Sequence, residues 1–444
     1  MTTFKIGGVH PHDNKQFSAN HPIVDCPLPK KAIVPLIQHI GAPAQAIVEK
    51  GEKVRVGQLI AKAGGFVSSN IHSPVSGIVS KIDTTVDAWG LRVPAIFIDV
   101  EGDLWVDGID SSDTLVRETI LDPKEIIDRI AAAGIVGLGG ACFPTHVKLM
   151  PPPGKKAEVL IVNGVECEPY LTCDHQLMLE RGEEIIIGIQ LLMRALGINR
   201  AIIGIEQNKP DAIAYMQKLT ARTLGISVMP LKLKYPQGGE KQLIDACIGR
   251  QVPSGALPIE VGAVVDNVAT VFAVYEAVLK HKPLVSRVVT VTGKNVARPG
   301  NYRVRFGTPL SELVEFAGGM PEDTGKIIGG GPMMGRAMNN LDMPANKRVS
   351  GLLFLPESES RRVEPENCIR CAKCLSSCPM GLEPYLLARQ AELQMWDSME
   401  AHNIMDCIEC GCCTFTCPSH RPLLDFVRMG KAKVGGIIRA RSAK

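Results

Sequence analysis

Apolar and polar positions along the chain change period several times, and each change marks an element. Residues 1–28 show no period and read as an irregular segment, with His10, His12 and His21 among turn formers in a solvated loop. From 29 to 102, short alternating runs such as Val48–Ile60 and His72–Val79 are separated by glycines, which predicts an all-β module. Asp122 followed by Pro123 caps a helix through Glu125–Ala133 to Gly134. Three apolar strands then alternate with two helices: Glu158–Val162, a helix from about Gln176 to Leu196, Arg200–Ile205, a helix over Pro210–Arg222, and Ile226–Lys234. This β-α-β-α-β order predicts a parallel sheet. The loops leaving its strands carry Asn163, Glu166, Glu206 and Gly238–Glu240, and ligands bind open α/β sheets at that edge. Farther on, strand Val288–Thr292, a hairpin around Gly300–Gly307 and the capped helix Thr308–Phe316 follow β-grasp order. Gly329–Gly335 reads as a tightly packed glycine turn, and Pro384–Trp396 as a helix in which Leu386, Leu387, Leu393 and Trp396 shield a neighbouring site.

The length of 444 residues suits three or four domains. A net charge of +3 is small for that length and gives no argument for nucleic acid. No apolar run approaches the ~20 residues that span a bilayer. Ile185–Met193 is too short, and the run Val261–Leu279 carries Asp266 and Glu276, so a soluble or peripheral protein is expected. The first residues have no signal-peptide character, which places the cysteines in a reducing compartment. Beyond Asp425 the tail holds Arg428, Lys431, Lys433, Arg439, Arg441 and Lys444 and no acid. It reads as solvated, or as a contact for anionic lipid or an acidic partner.

Eight of the fourteen cysteines form two copies of one pattern, Cys368, Cys371, Cys374, Cys378-Pro379 and Cys407, Cys410, Cys413, Cys417-Pro418. Structural zinc favours two separated ligand pairs, and disulfides need an oxidising compartment, so iron–sulfur ligation is the reading left. The pattern resembles the bacterial two-cluster ferredoxin run, in which the fourth thiolate of each copy reaches across to the other cube. That resemblance implies one [4Fe–4S] cluster on Cys368, Cys371, Cys374 and Cys417. A second falls on Cys407, Cys410, Cys413 and Cys378, with Cys412 as a spare thiol. Upstream, Gly137, Gly139 and Gly140 lie in a loop that follows a helix, so it is not a Rossmann fingerprint. The glycines still let backbone N–H groups approach an anion or a flat ring, with Lys148 supplying positive charge. Cys142, Cys167 and Cys173 nearby read as buried thiols.

The ordered set of glycine loop, Asn163-x-x-Glu166-x-Glu168-Pro169, Gly238-Gly239-Glu240 and Asn267-x-x-Thr270 resembles the flavin-binding NADH-oxidising subunit of respiratory complex I. The resemblance implies non-covalent FMN held by Gly137, Gly139, Gly140, Lys148, Asn163, Asn267 and Thr270. It implies that Phe143, Glu166, Glu168 and Glu240 face NADH. Leu138, Cys142 and Val165 stand where that family has arginine, glycine and aspartate. The all-β module resembles the barrel-sandwich hybrid of lipoyl and biotinyl carriers, but its tip, Ala63–Asn70, lacks the modifiable lysine.

The complete layout resembles the RnfC family, a component of the Rnf (Rsx) ion-translocating electron-transport complexes. The implied fold is a multidomain α/β and α+β chain. It comprises an irregular segment (1–28), a barrel-sandwich hybrid (29–102), an FMN/NADH α/β domain (103–282), a soluble-ligand-binding β-grasp domain (283–350), a helical two-[4Fe–4S] ferredoxin-like domain (351–430) and a basic tail (431–444). The implied activity is electron exchange between NAD(H) and ferredoxin coupled to movement of Na⁺ or H⁺. The chain would be peripheral, on the cytoplasmic side of the cell inner membrane, beside integral-membrane and ferredoxin-type subunits. Cobalamin reductases share several of these modules, and a cluster-bearing assembly scaffold with a decayed flavin pocket would also explain Leu138 and Val165.

Overall fold

The computed structural model describes residues 1–442 except 88–89 and 118–119, without the side chain of Ser442. The hybrid domain pairs a four-stranded sheet, in the order Lys31–Pro35, Arg92–Gly102, Ser76–Val86, Lys53–Val54, with a three-stranded one, Gln45–Ala46, Leu59–Lys62, Ile71–His72. Alternate residues Ala32, Val34, Ile96 and Ile98 turn inward and form its core with Ile60 and Val79.

The central sheet is parallel, with strands in the order Ile226–Leu231, Ala201–Glu206, Val159–Asn163, Ala263–Asn267. Both faces are covered, so Ala201–Glu206 and Ala263–Asn267 are buried throughout. The fourth strand is an addition to the sequence reading, which took Val261–Leu279 as one apolar run. Strand and helix abut there without a loop: Asn267 ends the strand and caps helix Val268–Leu279, accepting from the Ala269 N–H at 2.9 Å. The helix expected over Gln176–Leu196 is two, Cys173–Glu180 and Gly182–Leu196, broken at Arg181. Helix Pro123–Ala132 begins with a full capping box, Asp122 to Glu125.

The β-grasp sheet has six strands, in the order Val24–Asp25, Gly300–Arg305, Ser286–Thr292, Gly351–Pro356, Thr324–Gly329, Arg336–Met338. Gly351–Pro356 pairs with Ser286–Thr292, so the sheet runs past the boundary expected at 350. Its first strand comes from the N-terminal segment, which is not the solvated loop expected. His10, His12 and His21 are exposed, but Phe4 and Val9 are buried. The buried Lys15 ammonium donates to the carbonyls of Glu166 (2.9 Å), Glu168 (3.0 Å) and Leu171 (2.5 Å).

In the cysteine-rich domain, helices Pro384–Glu392, Trp396–Ala401 and Leu423–Ser442 pack around Leu387, Ala391, Met399, Val427 and Val434. Leu386 and Trp396 are half-buried, while Leu393, expected to shield, is 53% exposed just past the end of its helix. The basic tail is mostly the second half of the Leu423–Ser442 helix. Arg441 pairs with Glu400 at 2.8 Å and Asp397 at 3.3 Å, while Lys431 donates to the Cys407 carbonyl at 2.5 Å. Lys444 lies outside the described residues.

Candidate functional site

The carboxyl ends of the four parallel strands meet the glycine loop at one edge. The loop is closed by Gly137 N–H on the Phe143 carbonyl (2.9 Å) and anchored from behind by Leu138 N–H on the Thr270 hydroxyl (2.8 Å). Thr270, expected among the FMN-holding residues, is fully buried behind the loop, where its hydroxyl fixes the main chain. Gly139 and Gly140 are exposed on that open face. A Cβ on Gly139 would lie 3.0 Å from Asn267 Cβ, tighter than ordinary contact, so the close approach of loop to strand end favours glycine.

Asn163 and Asn267 build the floor. Asn163 donates to the Gly238 carbonyl at 2.9 Å and accepts from Val165 N–H at 3.2 Å. Asn267 donates to Asp174 at 2.6 Å. Lys148 reaches the Val265 carbonyl at 2.6 Å and stands 3.3 Å from Glu240 and 3.8 Å from Asp266. Burial opposes its charge, but Asp266 and Glu240 together hold the ammonium above its ordinary value. Burial raises Asp266 to about 6 despite Lys148, and both its oxygens lack a hydrogen-bond partner. A buried carboxylate in that state, beside a lysine and an exposed glycine loop, fits an edge that receives a polar ligand.

Two of the acids expected to face NADH are held by groups of the protein. Glu166 accepts from the N–H groups of Asp174 (2.8 Å) and His175 (3.2 Å), at the start of helix Cys173–Glu180, where the helix dipole favours an anion. Glu168 accepts from Met333 N–H (3.1 Å), Met334 N–H (2.8 Å) and the Tyr235 hydroxyl (3.1 Å). The glycine turn 329–335 closes over it: a Cβ on Gly331 would lie 2.1 Å from its carboxylate. Phe143 and Glu240 remain accessible, Glu240 with 43% of its side chain exposed. Where the complex I pattern has arginine and aspartate, Leu138 and Val165 are buried; the Val165 carbonyl accepts from the Lys209 ammonium at 2.6 Å.

Cys142 and Cys173 are buried and Cys167 half-buried. Glu166, Cys173 and Asp174 have ligand-type atoms within 4.8 Å of one another. Both carboxylates are engaged, Glu166 by helix N–H groups and Asp174 by Asn267, and burial followed by repulsion from Glu166 raises Asp174 to about 7. Cys167 accepts from Gly238 N–H at 3.4 Å and packs in one cluster with Tyr235, Cys410 and Cys412.

The two cysteine runs fold alike. Arg370 and Ala372 adopt left-handed backbone (φ 56° and 59°), as do Glu409 and Gly411 at the matching places (φ 57° and 79°). Three of the four are not glycine, and such strain persists where a site imposes it. Cys407, Cys410, Cys413 and Cys378 line one pocket with Leu387, Leu424 and Val427. Its sulfurs already receive N–H groups, Leu382 to Cys378 at 3.4 Å and Glu409 to Cys407 at 3.3 Å. Cys374 lies within electrostatic reach of Cys417 and Cys368. Cys368 and Cys371 are exposed, whereas Cys378 and Cys410 are buried. Cys412 also borders the cavity, with its sulfur 4.0 Å from the Tyr235 carbonyl. The nearby wall residue missed in the sequence is Tyr235, which is buried and donates to the Cys410 carbonyl at 2.9 Å; its place after the third strand was the only signal for it.

Family profiles cover this architecture in order: the RnfC barrel sandwich hybrid domain matches residues 2–103, the Nuo51 FMN-binding domain 130–276, the SLBB domain 288–337 and the 4Fe-4S dicluster domain 360–419. Over 429 residues, 96% of this chain and 93% of the relative, it is 45% identical to the RnfC-type component of the proton-translocating ferredoxin:NAD(+) oxidoreductase complex of Clostridium ljungdahlii. This chain belongs to the RnfC family. A second member, from the Na(+)-translocating ferredoxin:NAD(+) oxidoreductase complex of Acetobacterium woodii, is 42% identical over 97% of both chains. The corresponding member of the ion-translocating oxidoreductase complex of Rhodobacter capsulatus is 43% identical over 87% of this chain and 75% of its own. Like the family profiles it matches, this RnfC protein has an FMN-binding domain and a domain for two [4Fe–4S] clusters. No helix among the described residues is long and apolar enough to cross a membrane.

Proposed function

We propose that this chain is the peripheral redox component of an Rnf-type complex that couples electron exchange between NAD(H) and ferredoxin to ion translocation. The observation that carries this reading is a shared wall. Tyr235 belongs to the loop whose Gly238 carbonyl holds Asn163 in the flavin-side floor, and its hydroxyl donates to the Cys410 carbonyl at 2.9 Å. A bound FMN would supply the conversion between two-electron hydride chemistry and the one-electron steps of [4Fe–4S] clusters.

Gly137, Gly139 and Gly140 open the space for the ring system, and Lys148, placed by Glu240 and Asp266, supplies positive charge at the strand ends. Asn163 and Asn267 fix the floor, and Thr270 fixes the loop from behind. Phe143 and Glu240 face the nucleotide. Hydride transfer needs no side-chain base, so Glu240 orients the substrate and excludes competing water. Cys407, Cys410, Cys413 and Cys378 hold the inner cluster; Cys368, Cys371, Cys374 and Cys417 hold the outer one; Cys412 ligates neither. The burial of the first set and the exposure of Cys368 and Cys371 support a route from the flavin edge through the inner cluster to the outer one. From there it leads to ferredoxin-type and integral-membrane subunits on the cytoplasmic side of the inner membrane, and the ion path belongs to the latter.

Anaerobic purification with flavin and iron analysis tests the reading. One flavin and about eight irons per chain, with the flavin band bleached by NADH, is the expected result. Absence of flavin after gentle purification would contradict it and leave the assembly-scaffold reading.

A further inference from the structure

Glu168 was expected to face a nucleotide, and its surroundings in the structure assign it a different task. The glycine turn is shaped around its carboxylate: Met333 N–H and Met334 N–H donate to it at 3.1 and 2.8 Å, and a Cβ on Gly331 would lie 2.1 Å away. The Lys15 ammonium fixes its main-chain carbonyl at 3.0 Å. The same turn continues into the second cysteine run. A Cβ on Gly411 would lie 2.7 Å from the Met333 carbonyl, and Arg428 joins the Met334 carbonyl (2.7 Å) to Glu409 (3.1 Å). The carboxylate is within electrostatic reach of the Cys410 sulfur.

Tyr235 links the two more directly. Its hydroxyl lies 2.9 Å from the Cys410 carbonyl and 3.1 Å from Glu168 Oε1, and it has a single proton to share between them. Hydrogen bonds to an ionised acceptor are roughly twice as strong as neutral ones, so a carboxylate at this position draws that proton away from the cysteine carbonyl. Burial raises the Glu168 carboxyl, while the Met333, Met334 and Tyr235 donors act to keep it ionised. Hydrogen bonds and net charge around the ligands set the potential of a [4Fe–4S] cluster. A negative group nearby, and a donor withheld from a ligand, both oppose the added electron. We propose that Glu168 is a positioning residue for the inner cluster: through the Tyr235 hydroxyl it withholds a hydrogen bond from the Cys410 ligand and holds that cluster's potential down. The proposal rests on the ligand assignment above, Cys407, Cys410, Cys413 and Cys378, and adds to it a control that comes from the flavin domain.

The test is an anaerobic redox titration of the full-length, cluster-loaded protein at about pH 8, above the carboxylate range. Electron paramagnetic resonance follows both clusters, and the inner signal is the one lost in Cys378→Ser. Glu168→Gln keeps the shape of the side chain and removes its charge. It should raise the inner midpoint by about 60 mV, a tenfold change in that one-electron equilibrium, and leave the outer midpoint in place. In a Tyr235→Phe background the same substitution should move the inner midpoint by less than half as much. An unmoved inner midpoint in Glu168→Gln, with or without a raised KM for NADH, overturns the inference and leaves the functional reading intact. So does an equal shift in the presence and absence of the Tyr235 hydroxyl. If Glu168→Gln takes up no clusters, Tyr235→Phe alone decides: a lower inner midpoint beside an unchanged outer one supports the proposal, and an unmoved one overturns it. Wild-type protein without two cluster signals overturns both the inference and the functional reading.

Discussion

At the scale of single residues, the site is built mostly of side chains that hold one another. Asn163, Asn267, Thr270, Glu166 and Glu168 each spend their polar atoms on loops and helix ends, leaving Gly139, Gly140 and Phe143, with the Lys148–Glu240 pair, at the open edge. Residue types at the right spacing were legible in the sequence; the direction in which each side chain points was not, because it is decided by partners such as Met333 and Met334 more than 160 residues away. Glu206 tests the electrostatics of this edge. It is buried at a strand end, with one oxygen that accepts no hydrogen bond and lies 4.0 Å from the Lys209 ammonium, and burial raises it from 4.5 to about 7 against the pull of Lys209. Between those values the folded chain keeps a proton that the unfolded chain has lost, so this contribution to stability is present at low pH and disappears as pH rises through about 7. Glu206→Gln should therefore gain stability relative to wild type between pH ~5 and ~8, by roughly 2–3 kcal/mol. Melting temperatures of the two proteins across that range check the sign. Tyr235→Phe removes the hydroxyl's hydrogen bonds to Cys410 and Glu168 and should lower stability by about 1 kcal/mol, read from denaturant unfolding, while NADH still bleaches the flavin.

At the scale of elements, the alternation of apolar runs and capped helices placed three parallel strands, the β-grasp hairpin and the hybrid sheets from sequence alone. Failures came where one pattern runs into another. The strand Ala263–Asn267 passes into helix Val268–Leu279 through a single capping residue, so no turn interrupts the apolar run. The C-terminal helix carries Gly435 and Gly436 and a basic face, which hides the buried positions Val427 and Val434. The paired cysteine runs were legible because spacing itself is the signal, and their repeated left-handed residues support one loop geometry used twice. Cys378→Ser should remove the inner cluster and about four irons, whereas Cys412→Ser should leave the iron content unchanged. Iron and sulfide analysis of the two variants distinguishes ligand from spare thiol.

At the scale of the whole molecule, the first residues act as a strap that composition could not reveal, since Phe4 and Val9 are isolated apolar positions without a period. Val9 exchanges two backbone hydrogen bonds with Tyr235, both 2.9 Å, and Gly8 N–H reaches the Ser377 carbonyl at 2.9 Å. Removing residues 1–10 should loosen the cysteine-rich domain from the flavin domain, seen as faster proteolysis between residues 356 and 368 with the flavin still bound. The central claim is that electrons enter at the strand-end edge and leave through the buried cysteine set before the exposed one. Rapid anaerobic mixing of NADH with the wild type and with Cys378→Ser, following flavin and cluster absorbance together, tests it most directly. Flavin bleaching at the same rate in both, with the outer cluster remaining oxidised in Cys378→Ser, is the predicted result. Reduction of the outer cluster at the wild-type rate in that variant would contradict it.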